Sequence, residues 1–201
     1  MYVFFAGIVF FLTLFSSNPG VFASSSEPKT FIENLGKEAV EHLTRPDAQI
    51  PDFIALLDKG FDVRKILIRI VTAAVWEDPT VLPLQEHLLE LYKLSVARLY
   101  LNQFKRYGSK VKFEVIKSTP TGSGGALVES VLKTKNSPAG ISIDWELNKE
   151  TQWRIVDVRV EGVSLISDQT DVYRSILKGD PHNVPQLIKQ LEAKKSFERG
   201  G

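Results

Sequence analysis

The 201-residue chain contains no cysteine. It therefore has no disulfide framework and no thiolate metal site or thiol nucleophile. Its charge is nearly balanced: 25 Lys and Arg against 24 Asp and Glu, a net +1. Basic residues are scattered and often sit beside acids, so no phosphate-binding groove or nucleic-acid partner is indicated. Histidine is scarce. His42, His87 and His182 have no His or Cys partner at ligand spacing, which argues against a metal centre. Gly122-Ser123-Gly124-Gly125 lacks the following Lys-Ser/Thr and helix of a phosphate loop and reads as a hairpin turn. No serine lies in a nucleophile-elbow pattern. No cofactor motif and no catalytic residue is assigned.

Long apolar runs are also missing, with one exception. Val3 to Phe15 is almost wholly apolar and is followed by Ser16-Ser17-Asn18-Pro19-Gly20 and Val21-Phe22-Ala23. Small residues at 21 and 23 suit a secretory cleavage site, and the run is short for a membrane span. Residues 1–23 are expected to be a signal peptide. Met1-Tyr2 carries no basic residue, so a retained N-terminal anchor is the alternative. Export without cysteine fits a bacterial periplasmic protein whose core suffices for stability.

What is present has clear order. Residues 24–29 read as a polar tether, 30–195 as one domain, and 196–201 as a tail. Phe31, Leu35, Ala39 and Leu43 predict an amphipathic helix from Thr30. Ile50 to Lys59 predicts a second, with Pro51 in its first turn and Gly60 at its end. Asp62 caps a third, whose arc holds Val63, Ile66, Leu67, Ile70, Val71 and Ala74 and which closes at Trp76. Residues 80–106 read as one long helix, apolar on two sides and so covered on two sides.

The period then changes to two. Strands are expected at Val111–Val115, Leu127–Thr134, Ile141–Leu147 and through Trp153–Ile166. Two closing helices follow, over 168–177 and from an Asn183 cap to about Lys194. The fold class is α+β: a curved antiparallel four-stranded sheet packed on several helices, with room for an apolar pocket between the layers. In the last strand, Val156, Val158 and Val160 are assigned to the inner face. Ile155, Asp157, Arg159 and Glu161 are assigned to the outer one. Asp144 and Asp157 would be candidate general bases if they faced a pocket, but both are expected to point outward.

The stretch Trp153-Arg-Ile-Val-Asp157-Val-Arg-Val-Glu161-Gly162-Val163-Ser164, with YRSIL and VPQLIKQLEAK after it, resembles the MlaC family of toluene-tolerance, phospholipid ABC-transport auxiliary proteins. GFDVRKI, Trp76 and RLYLNQFKRY fall in the same family order, and the resemblance covers about residues 30–195. Pro79 and Pro83 stand where the family usually has a more polar helix start. The resemblance implies a fold of the nuclear-transport-factor and ketosteroid-isomerase type. It implies a periplasmic phospholipid-binding shuttle, not an enzyme. Lipid would pass between an outer-membrane lipoprotein–porin complex and an inner-membrane ABC transporter bearing a substrate-binding hexamer, maintaining outer-membrane lipid asymmetry.

Under this reading the acyl chains are expected between Val156, Val158 and Val160 and the helix residues Ile66, Ile70, Leu88, Tyr92 and Leu99. Val163 and Leu165 are expected at the mouth. The alternatives are an isomerase or dehydratase on the same superfold, a carrier of a hopanoid or other apolar molecule, and an adaptor with a solid interior.

Overall fold

A computed structural model describes residues 26–197 apart from residue 123. The expected signal peptide lies outside the described residues. Among the described residues, seven α-helices and five strands follow in the expected order, helices first, then the sheet, then helices.

Helix α1 spans Ser26–Leu43, starting four residues before Thr30. Helix α2, Ile50–Gly60, is closed at its start by a capping box in which Gln49 N donates to Asp52 at 2.7 Å. Helix α3, Val63–Val71, starts on Asp62, whose carboxylate accepts from Lys65 N at 2.9 Å. The third helix does not run on to Trp76. Thr72 adopts φ 82° and breaks it, and a separate turn, α4 (Ala73–Trp76), follows. The long helix is also shorter than expected. Pro83 sits in a single 3-10 turn at Leu82–Leu84, and α5 spans Gln85–Tyr107. Proline lacks an N–H to donate, so it suits a helix entrance. Helix α5 packs against both α2 and α7, which explains its two apolar sides.

The sheet has five strands in sequence order, all antiparallel: β1 Lys112–Pro120, β2 Ala126–Lys133, β3 Ile141–Lys149, β4 Trp153–Val160 and β5 Val163–Ser164. The fourth expected strand is thus two. Glu161 and Gly162 both take positive φ, 51° and 80°, and turn the chain so that Val163 pairs with Val160. Two left-handed residues form the tight hairpin whose twist matches the strands. Helix α6, Leu165–Leu177, begins at once, capped by Ser164. Helix α7 spans Val184–Phe197. The amide of Asn183, just before it, donates to Leu177 O at 2.9 Å, tying the connection back to α6.

Two bulges set which side chains face the helices. Register slips between Val115 and Lys117, and again opposite Glu146 and Leu147, where Asp157 and Ile155 are the partners and Val156 is the extra residue. An extra residue reverses the alternation beyond it. Ile155 is therefore an inner residue with 0% exposure, bridged to Phe61 at the end of α2. The expected single face of Val156, Val158 and Val160 is corrected accordingly: Val158 and Val160 face the helices, while Val156 lies beside Glu146 and Arg159.

Candidate functional site: an apolar cavity between sheet and helices

The helical layer and the sheet do not close fully on one another. A cavity of about 220 Å³ remains between them. Helix α1 lines it with Ile32, Leu35, Ala39 and Leu43, and α2 with Phe53, Leu56 and Leu57. Val96, Tyr100 and Phe104 come from α5, Ile143 and Trp145 from β3, Val158 and Val160 from β4, and Leu165 from the first turn of α6. No charged side chain lines it, and Gln103 is its one side-chain amide. Such a space strips water from any occupant and offers no ionic partner, so it selects for hydrocarbon.

The wall is held by specific contacts. Trp145 Nε1 donates to Ser130 Oγ at 2.8 Å, and that hydroxyl donates to Ile143 O at 3.0 Å. The indole is thus fixed with its apolar body toward the cavity and its polar edge satisfied. Phe113 meets Trp145 edge to face, with centroids 6.2 Å apart, and Phe53 meets Phe104 likewise at 5.9 Å. Helix α1 comes so close to the sheet that only glycine fits at Gly36: a Cβ there would lie 2.2 Å from the Phe113 ring.

The residues expected to hold lipid are only partly brought together. Val158, Val160 and Leu165 line the cavity. Ile66 and Tyr92 line a smaller adjoining void of about 50 Å³, which shares Val158 and Leu165 with the main one. Ile70 and Leu88 are wholly buried in packed core and border neither. Leu99 is 54% exposed on a surface groove outside the cavity, and Val163 is 53% exposed on β5. Most of the wall comes from α1, α2 and the far half of α5. Their amphipathic spacing was visible in the sequence, but which stripe would face a void was not.

Asp144 lies opposite Arg159 on the outer face, as expected. Asp157 does not point out to cations. It is 3% exposed and borders the small void near Tyr92. Its Oδ1 accepts from Val158 N at 2.8 Å, and its two oxygens lie 2.9 and 2.8 Å from Ser164 Oγ. The bulge explains the error, because it lets this side chain curl along the strand edge toward the start of α6. Burial pushes the Tyr92 hydroxyl far up from its ordinary value, with Tyr173 adding to the shift. Tyr173 is raised for the same reason. Both phenols are neutral at physiological pH and serve the packing, their rings edge to face at 6.3 Å.

Among the described residues, no group of three or more His, Cys, Asp or Glu is placed to hold a metal ion. No helix among them is long and apolar enough to cross a membrane.

The family model described as MlaC protein matches residues 29–193, nearly all of this architecture. The chain belongs to the MlaC family. It is also similar to a solved structure, a phospholipid-binding protein from Ralstonia solanacearum determined in complex with a phospholipid. That likeness has a TM-score of 0.65 at 13% identity and covers 82% of this chain and 96% of the other. At that identity it shows a shared fold. No curated protein matches the sequence.

Proposed function

We propose that this MlaC-family protein is a phospholipid-binding shuttle of the periplasm, holding acyl chains in the cavity between α1, α2, α5 and the sheet. The observation that carries the reading is the cavity wall, built of aliphatic and aromatic side chains with one amide, Gln103, and no charge. The phospholipid bound by the Ralstonia solanacearum neighbour of the same fold supports it.

The physics suits a carrier. Exposing acyl chains to water costs about 0.8 kcal/mol per methylene. Two chains of membrane length therefore cost on the order of 20 kcal/mol, which makes unaided crossing of an aqueous gap negligible. An apolar cavity removes that cost for each methylene it encloses. Since bilayer and cavity are both apolar, transfer between them is nearly neutral, and docking to donor and acceptor complexes would set the direction. An outer-membrane lipoprotein–porin complex and an inner-membrane transporter hexamer are the partners this role calls for, with outer-membrane asymmetry as its outcome.

The isomerase reading needs a carboxylate free to take a substrate proton. Among the described residues Asp157 is the buried carboxylate, and its oxygens are engaged by Ser164 and by Val158 N beside a void too small for a substrate.

The test is lipid extraction from protein purified after periplasmic expression. Wild type should yield about one diacyl phospholipid per chain. Val158→Asp or Val160→Asp, placing a charge in the apolar wall, should yield little while remaining folded by circular dichroism. Equal recovery from wild type and both variants would remove the cavity as the site.

A further inference from the structure

The cavity is not isolated. The 50 Å³ void shares Val96, Tyr100, Val158 and Leu165 with it and extends toward α6. On its other side it shares Tyr100 and Gln169 with a surface groove of about 350 Å³. Tyr100 thus borders all three spaces. The groove runs between α5 and α6, because α6 packs mainly on α3 and leaves its side toward α5 loosely filled. Two large apolar side chains stand exposed along it, Leu99 at 54% and Val172 at 48%.

Gln169 stands where void and groove meet. Its side-chain amide oxygen is buried and has no hydrogen-bond partner. A buried acceptor without a donor is unfavourable, so something that brings an N–H or O–H to it would be favoured there. Besides Gln169, the void's wall carries one carboxylate, Asp157, already engaged by Ser164, and the groove's carries Ser95 and Arg98; the remaining side chains of both suit hydrocarbon.

Resting on the carrier reading, we infer that the α5–α6 groove is the mouth of the lipid site, with Gln169 accepting a hydrogen bond from the headgroup region of a phospholipid whose tails pass Tyr100 into the cavity. Leu99 and Val172 then flank the tails as they enter. Headgroups that carry a donor, such as ethanolamine or glycerol, satisfy Gln169. Choline has no N–H or O–H and leaves it unpaired.

The absence of cysteine permits a direct test, since single cysteines can be introduced without removing any. A nitroxide is attached to the Val172→Cys variant and, as a control, to Ile116→Cys, whose side chain is exposed on β1. Each protein is loaded with phosphatidylethanolamine bearing a headgroup fluorophore. Strong quenching on the Val172→Cys protein and little on the Ile116→Cys protein is expected; equal quenching overturns the assignment of the mouth. Competition between unlabelled dioleoyl ethanolamine and choline lipids supplies the second arm. Wild type should prefer ethanolamine by about fivefold, and Gln169→Leu should bring the ratio of the two bound lipids to about one. A preference that is absent from wild type, or that persists in Gln169→Leu, removes Gln169's role. Failure of wild type to load either lipid overturns the carrier reading itself, and this inference with it.

Discussion

Ser164 Oγ lies 2.9 and 2.8 Å from the two carboxylate oxygens of Asp157, and the same oxygen accepts from Ile166 N and Ser167 N. One hydroxyl therefore joins the edge of β4 to the first turn of α6. It satisfies a buried carboxylate on one side and two otherwise unpaired helix N–H groups on the other. Leu165 and Ile166, which line the cavity and its adjoining void, are held in place by this joint.

Removing either partner should be costly. Ser164→Ala loses the cap and leaves Asp157 short of a donor, about 2 kcal/mol. Asp157→Ala should cost about as much. The double variant should cost clearly less than the sum, since each single change already breaks the joint. Urea denaturation of the four proteins measures the cycle; strict additivity would show the contact to be incidental.

Helix α1 rests on the sheet at Gly36, against the Phe113 ring. In an ordinary helix interior Gly→Ala gains up to about 1 kcal/mol. Here the added methyl must push aside an aromatic ring that is itself packed on Trp145. Overpacking of this kind costs about 1–3 kcal/mol, so Gly36→Ala should be net destabilising. A raised melting temperature would contradict the close approach.

The bulge at Val156 makes a prediction about parity. Ile155→Ala should destabilise by about 2–5 kcal/mol, because its side chain is fully buried against the end of α2. Val156→Ala should leave lipid loading unchanged, whereas Val158→Ala should reduce it. A loading defect in Val156→Ala would place that side chain in the cavity.

This bulge also marks where the sequence stopped being legible. The order of helices and strands followed from periodicity, and so did the Asp62 cap. The inner face of β4 did not, because simple alternation across Ile155, Val156 and Asp157 carries no trace of an inserted residue. Alternation placed Val156 inside and Asp157 outside; the fold reverses both. The break at Thr72 was hidden for a related reason. A β-branched residue at φ 82° contradicts local preference; Thr72 is exposed there, its N–H closing α3 on Ile68 O and its hydroxyl accepting from Val75 N at the start of α4. Val158 and Val160 were legible as inner-face residues since they lie beyond the bulge, where parity holds; Leu165, expected at the mouth, opens α6 and lines the cavity. Ile70 and Leu88 have the same apolar character as the cavity residues, and only three-dimensional packing shows that no space adjoins them.

Surface charge gives a modest acid dependence. Glu150 is held below its ordinary value of 4.5, chiefly by its hydrogen bond with Lys65, and Lys65 is raised above 10.5 chiefly by the same bond. A depressed carboxylate contributes stability that is complete above its unfolded value and is lost as pH falls through the folded one. The raised lysine contributes below 10.5 and loses its share as pH climbs past that. Urea midpoints should therefore fall as pH drops from about 5 toward 3, and Glu150→Gln should make that fall shallower. Both groups are on the surface, so the difference should shrink in high salt. Identical acid slopes for variant and wild type would mean the pair contributes nothing.

The most direct measurement is the native mass of the protein purified gently from a periplasm. A cavity that takes up hydrocarbon should carry a guest, giving a mass above that of the chain by one diacyl phospholipid and a second peak at the bare mass on mild activation. A single peak at the bare mass, under conditions in which a known lipid carrier keeps its cargo, would contradict the carrier account.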